Sequence, residues 1–190
     1  MTCPSENSTT ITGYHGTDET NVDLIEKNNF KLSTNDREWL GHGVYFFVEG
    51  VSDPLNNACE WAKNQAYNKG NYAYENYSVI EVKVTCENVL DTTTIDGLKA
   101  YDALRNSIIS KHDEHFLYNR DKLCDDRVMW NLIASFMEAD IVIHNLYIKN
   151  KVQRKKRISS NVPNCTVMCV KSSNLIDSSS IKVAKKGGVA

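Results

Sequence analysis

Gly13-Tyr14-His15-Gly16-Thr17, followed about thirty residues later by Trp39-Leu40-Gly41-His42-Gly43-Val44-Tyr45-Phe46-Phe47, is the stretch that decides the fold. Each half reads as a short apolar strand that carries one polar functional group and at least one glycine. A histidine can hydrogen-bond in either protonation state. A glycine admits close approach to the backbone. A tyrosine offers a flat amphipathic face. A lone histidine before glycine is usually a turn residue, and a lone strand tyrosine is usually core. The pair together, each beside a glycine, suits a flat, hydroxyl-rich nucleotide better than it suits a core.

Outward from this pair, short strands alternate with helices. Ile11–Tyr14 reads as a strand ending at His15, and residues 1–10 as a flexible tail. Thr17 or Asp18 can cap a helix through Val22, Leu24, Ile25 and Lys27. Phe30–Ser33 is a short extended piece, and Gly43–Val48 a strong strand of β-branched and aromatic residues. Asp53-Pro54 opens a helix with Leu55, Ala58, Trp61, Ala62 and Ala66 on one face. Residues 68–77 read as a loop. Ser78–Thr85 reads as a strand with Val79, Glu81, Lys83 and Thr85 on one face and Ile80, Val82 and Val84 on the other. Asn88–Thr92 reads as a turn, Gly97–His112 as a helix and 113–127 as a polar, mixed stretch. Val128–Phe136 suggests a helix entering a strand, Ile141–Ile148 a strand, 149–163 a polar loop and Thr166–Val170 a compact strand. The Ser/Lys/Gly-rich segment 179–190 reads as a second flexible tail. With no internal repeat and no linker, this is one α+β domain over residues 11–178.

The 190 residues are enough for one sizeable core, and 41% hydrophobic with 24% charged residues is the composition of a soluble globular protein. A net charge of −2 implies no global attraction to nucleic acid or membrane, so any such attraction is local. No apolar run reaches membrane-spanning length, and Met1–Thr10 lacks the pattern of a secretory signal, so a cytoplasmic protein is expected. Six cysteines (Cys3, Cys59, Cys86, Cys124, Cys165 and Cys169) lack the close pairs of a zinc site. They read as buried free thiols in a reducing compartment, and no metal is expected.

The sequence resembles the ADP-ribosyltransferases, in the branch shared by poly(ADP-ribose) polymerases and diphtheria toxin. The resemblance lies in His15-Gly16-Thr17, Asn29-Phe30-Lys31-Leu32-Ser33, Leu40-Gly41-His42-Gly43, Gly43-Val44-Tyr45-Phe46, Ala58-Cys59-Glu60-Trp61-Ala62 and Val79–Val84 followed by Asn88-Val89-Leu90. It covers residues 11–91 well and 164–176 weakly. It implies two small antiparallel or mixed sheets forming a split core with flanking helices. It also implies that NAD is a co-substrate, with His15 on a ribose, the Gly16 backbone on the carboxamide, Thr17 assisting and Tyr45 stacked on the nicotinamide. Trp61 is either a second wall or a core residue on its helix. Lys31, Ser33, Gly43 and Asn164 complete the expected NAD-binding set, and His15 and Tyr45 are the expected catalytic residues. His42 reads as a surface residue and Glu81 as structural.

The family's third element, a glutamate at the start of a late strand, is missing: that segment reads Pro163-Asn164-Cys165-Thr166. Glu138, beside an apolar run that could raise its pKa, is the alternative acid. Six cations, Lys149, Lys151, Arg154, Lys155, Lys156 and Arg157, lie before that strand. They read as a solvated loop or as a site for phosphates, with Lys151, Arg154, Lys155, Lys156 and Arg157 as acceptor contacts. The resemblance thus implies a mono-ADP-ribosyltransferase moving ADP-ribose from NAD to a macromolecule, with RNA or DNA slightly favoured over protein. Small transferases of this kind are often toxins or phage or defence effectors, so an inhibitor or antitoxin protein is an expected partner, and a membrane is not. Two alternatives stay open: an inactive module of the same fold that binds NAD or ADP-ribose, and a nucleic-acid-binding protein acting through the basic loop.

Overall fold

Two aspartates and a run of small residues set the frame around the central strands. The computed structural model describes residues 8–35, 38–68, 71–111 and 122–189. β1 (Thr9–Asp18) ends at Asp18, whose carboxylate accepts from the Thr20 N–H and starts a short turn leading into α1 (Val22–Asn28). α1 stops at Asn29, which takes φ 62°; its amide donates to the carbonyls of Ser173 and Ile176 and accepts from the Phe30 N–H. β2 (Val44–Val48) follows, and then Asp53 and Pro54 open α2 (Pro54–Ala66), with the Asp53 carboxylate accepting from the Asn56 N–H. Two residues each form β3 (Tyr67–Asn68) and β4 (Asn71–Tyr72), an antiparallel pair. The chain continues through β5 (Asn76–Cys86), β6 (Val89–Asp91), α3 (Ile95–Lys111), α4 (Lys122–Phe136), β7 (Ile141–Leu146), α5 (Lys151–Lys155), β8 (Cys165–Val170) and β9 (Lys182–Gly188).

The fold is mixed α+β. Seven strands form one sheet in the order β6-β7-β8-β2-β1-β5-β9, which corrects the expectation of two small sheets. The expected split survives in another form. β1 and β5 pair along their length, as do β2 and β8, but β1 and β2 share a single register pair, Tyr14 with Phe47. The sheet is continuous there, and the two strands part on either side of that pair.

Helices α2, α3 and α4 cover one face of the sheet, around a core that includes Ala58, Ala62, Val79, Trp130, Ile133 and Val142. On the other face α1 and the segments around Phe30 and Ile176 enclose Val44, Phe46, Ile80, Val82 and Val84. β5 is therefore apolar on both sides near α2: Val79 is fully buried, and the expected polar face begins only at Glu81, which pairs with Lys182 at 2.8 Å. The small side chains Ala58, Ala62 and Ala66 let α2 lie close to β1.

Four expectations are corrected. The expected flexible tail 179–190 contains β9, which pairs antiparallel with β5; its Lys/Gly composition hid an edge strand, where lysines discourage further pairing. Asn88–Thr92 contains β6, parallel to β7. The polar loop 149–163 contains α5, held by a capping box between Asn150 and Gln153. Val128–Phe136 is helical throughout, as part of α4. Of the flexible tail expected over 1–10, Thr9 and Thr10 belong to β1 and residues 1–7 lie outside the described residues, as do residues 112–121.

Candidate active-site cleft

The parting of β1 and β2 opens a cavity of about 840 Å³, within the range of small-molecule and cofactor sites. His15, Gly16, Thr17, Lys31, Ser33, Gly43, Tyr45 and Trp61 all line it. Eight positions expected from the sequence to contact one ligand are thus brought together from β1, α2, β2 and the 29–43 segment.

His15 spans the parting. Its Nδ1 lies 2.8 Å from the Tyr45 carbonyl oxygen. A carbonyl only accepts, so Nδ1 carries the proton and donates. Burial pushes the His15 pKa down, against a smaller upward pull from that bond. The ring is therefore neutral at neutral pH, which leaves Nε2 as an acceptor. Edge contacts to Phe30 and Phe46, with centroids at 5.2 and 5.8 Å, hold the ring's orientation.

Tyr45 is anchored differently. Its hydroxyl accepts from the Leu40 N–H at 2.8 Å and donates to the Gly41 carbonyl at 2.5 Å. Burial pushes its pKa far above the ordinary tyrosine value. The hydroxyl is thus committed to the Leu40-Gly41 turn, and what Tyr45 offers the cleft is its ring. That turn is fixed in turn by α4: Asn131 Oδ1 accepts from the His42 N–H at 2.8 Å, and Gly41 takes φ 78° against it. Lys171 Nζ donates to the carbonyls of Leu40 and His42. His42 is half-buried beside Arg127, with Nε2 3.3 Å from Nη1, rather than on the open surface.

Gly16 has a packing reason. A Cβ there would lie 2.0 Å from the Ala58 carbonyl oxygen and 3.1 Å from the Ala62 Cβ, so the glycine is what admits α2. Trp61 and Gln65 on α2 line the cleft as a result. Trp61 is half-buried against the core and also lines the cavity.

Two expected site residues lie elsewhere. Glu138 is exposed in the turn between α4 and β7, at φ 50°, and does not line the cleft. Asn164 is a bracket: its side-chain amide donates to the Ile148 carbonyl and accepts from the Ile148 N–H, which uses both of its ends. The cleft-facing residue of β8 is Val167. The sequence reading missed two contributors. Glu38 lines the cleft and accepts a hydrogen bond from Ser33 Oγ, and Trp39 adds a second indole to the wall. Their signal was position: both immediately precede the Leu40-Gly41 turn that anchors Tyr45.

Lys151, Arg154, Lys155, Lys156 and Arg157 are exposed on and just after α5 and do not line the cleft. Among the described residues, no cluster of three or more His, Cys, Asp or Glu could hold a metal ion, and no helix is long and apolar enough to cross a membrane. Cys59, Cys86, Cys165 and Cys169 are free and buried; burial pushes the Cys165 thiol up to about 11. Cys3 and the Cys124 side chain lie outside the described residues.

No protein-family model matches the chain. An uncharacterized protein of Methanocaldococcus jannaschii is 28% identical over 144 residues, covering 74% of this chain and 58% of that protein. The chain therefore spans less than two thirds of the length of the curated relative it matches. Among solved structures, the MbcT–MbcA toxin–antitoxin complex of M. tuberculosis aligns with TM-score 0.42 and 11% identity, over 95% of this chain and 85% of that one. This is a distant likeness.

Proposed function

We propose that the cleft binds NAD and that the protein transfers ADP-ribose from it to a macromolecular acceptor. The observation that carries this reading is the His15–Tyr45 bond across the parting of β1 and β2, which sets an imidazole acceptor and an aromatic face on one cavity. His15 Nε2 accepts from a ribose hydroxyl, the Tyr45 ring lies under a planar heterocycle, and Trp39 and Trp61 close the sides. Lys31, at the cleft margin, suits the pyrophosphate. Apart from Lys31 and Glu38 the lining is uncharged, which fits a reaction in which charge develops at one atom and is met by one fixed group.

That group is Glu38. NAD supplies an activated N-glycosidic bond. As the bond breaks, its electron pair leaves with nicotinamide, and positive charge develops on the ribose. A carboxylate held by the Ser33 hydroxyl opposes that charge and takes the proton that the acceptor nucleophile loses when it bonds to the ribose carbon. Glu38 thus takes the place expected for Glu138. The test is nicotinamide release with NAD affinity measured alongside. Glu38→Gln should retain NAD binding and lose roughly 10²–10⁴-fold in release. Wild-type binding without release on any acceptor would instead establish a binding-only module, the reading favoured by the apolar Val167 on β8.

A further inference from the structure

The strongest unassigned surface lies outside the cleft, where β3 and β4 meet α5. Tyr67 and Tyr72 are 51% and 40% exposed, although tyrosine is a large, mostly apolar residue. They face each other across the β3–β4 pair, with ring centroids 5.9 Å apart. Lys151 sits over the Tyr72 ring at 5.6 Å from its centroid, and its Nζ lies 3.1 Å from the Tyr72 hydroxyl. Beyond Lys151, the exposed Arg154, Lys155, Lys156 and Arg157 continue the positive surface. No acidic residue occurs between Asp140 and Asp177 in the sequence, so no carboxylate from this part of the chain offsets them.

Both pieces are fastened to the end of α2 that borders the cleft. The Ala73 N–H donates to the Ala66 carbonyl at 2.7 Å, and the Tyr74 hydroxyl donates to the Ala62 carbonyl at 2.5 Å, which ties the strand pair to α2. Asn64 Nδ2 donates to the Lys149 carbonyl at 3.2 Å, which ties the start of α5 to the same turns. Trp61 and Gln65, on those turns, line the cleft, as does Ile148 just before α5.

From this juxtaposition of exposed aromatic faces with a row of exposed cations, we infer that the β3–β4/α5 surface binds single-stranded nucleic acid. Bases of a single strand stack on tyrosine rings, which a duplex cannot offer, while Lys and Arg follow the phosphates. The inference deepens the transferase reading, because a strand held here would lead to the cleft along α2, but its binding test stands apart from NAD chemistry.

The experiment is fluorescence anisotropy of the full chain with labelled oligo(dT), oligo(U) and a duplex of matched length. We expect single strands to bind more tightly than the duplex. With about five phosphate contacts, affinity should fall roughly 100-fold between 50 and 200 mM salt, from a log–log slope of about −0.7 per contact. Tyr67→Ala should weaken single-strand binding about tenfold or more, whereas Tyr67→Phe, which keeps the ring, should bind as wild type. Lys155→Gln/Lys156→Gln should flatten the salt dependence by about 1.4. Neither substitution touches the cleft, so NAD binding should be unchanged in each. Equal or tighter duplex binding with no effect of Tyr67→Ala would overturn the inference, and so would no binding at low salt. An acceptor that proves to be protein, with no oligonucleotide affinity, would overturn it while leaving the NAD site standing. Conversely, loss of NAD binding in His15→Ala with oligonucleotide affinity intact would show that the two sites are separable.

Discussion

Replacing Gly16 by alanine separates two explanations of one residue. The new Cβ would lie 2.0 Å from the Ala58 carbonyl oxygen, a backbone atom in the middle of α2 that no side-chain rotation can move. Ordinary contact lies near 3.5 Å, so α2 would have to retreat by about 1.5 Å. Overpacking of this kind costs about 1–3 kcal/mol, and a backbone obstacle places the cost at the upper end. For a chain of this size, ~3 kcal/mol corresponds to a Tm loss of roughly 6–12 °C. The retreat also carries Trp61 and Gln65 away from the cleft, so NAD affinity should fall with stability. The assay is thermal unfolding of the ligand-free protein, with calorimetric NAD binding on the same samples. If the glycine exists to admit a ligand instead, Gly16→Ala would leave the ligand-free Tm at the wild-type value and reduce affinity alone. That result would refute the packing of α2 on β1 as the reason for Gly16.

The pH dependence follows from His15 and His144, whose pKa values burial pushes below the ordinary 6.5. The unfolded chain takes up these protons first, so their stabilising effect is full above pH 6.5 and is lost as pH falls below it towards the folded-state values. Melting curves through this range should show the decline, smaller in His15→Asn, and a flat wild-type profile would contradict it. NAD affinity should fall in the same direction, because protonation turns Nε2 from acceptor into donor. Tyr45→Phe deletes a hydroxyl that satisfies Leu40 N–H and Gly41 C=O, and should cost about 1–3 kcal/mol in chemical denaturation while NAD binding persists on the ring. Tyr45→Ala should lose both; equal loss of NAD binding in the two variants would mean that the hydroxyl, not the ring, meets the ligand.

How far this was legible in the sequence depended on whether the signal was local. His15, Gly16 and Tyr45 could be read because each sits in a strand with its own β-branched or aromatic run, and Asp53-Pro54 because capping is a short-range rule. β9 could not be read: a strand of composition Lys-Val-Ala-Lys-Lys-Gly-Gly is specified by the open edge of β5, not by its own propensity. β6 is three residues long and exists because β7 lies beside it. Glu138 was chosen for an adjacent apolar run, but Phe136 beside it is itself exposed and Met137 only half-buried, so the end of the helix gives the carboxylate no apolar surroundings. Asn164 lay in the right strand region, yet its amide is absorbed by Ile148. Glu38 was missed because its place in the cleft comes from the Ser33–Gly43 bridge, a contact between segments ten residues apart that folds its loop back over Tyr45.

The same long-range bridge explains why the cleft lies where it does. Where β1 and β2 part, their backbone groups lose ladder partners, and burying such groups unpaired costs about 1–3 kcal/mol each. Here the Tyr45 carbonyl is taken by an imidazole, and the Leu40 N–H and Gly41 carbonyl by a phenol. An imidazole thus replaces the missing ladder at Tyr45, while the phenol satisfies the turn that leads into β2. Both rings also suit a planar, hydroxylated ligand, so the residues that stabilise the opening are the ones that would read its contents. The chemistry then needs one group that is not consumed in holding the opening. Lys31 stands at the margin, His15 and Tyr45 are committed through one atom each, and Glu38 is the carboxylate among the described cleft residues. Apart from Lys31 at the margin, Glu38 is the one charged group in an otherwise uncharged, aromatic lining, and it is the carboxylate available to oppose a developing positive charge.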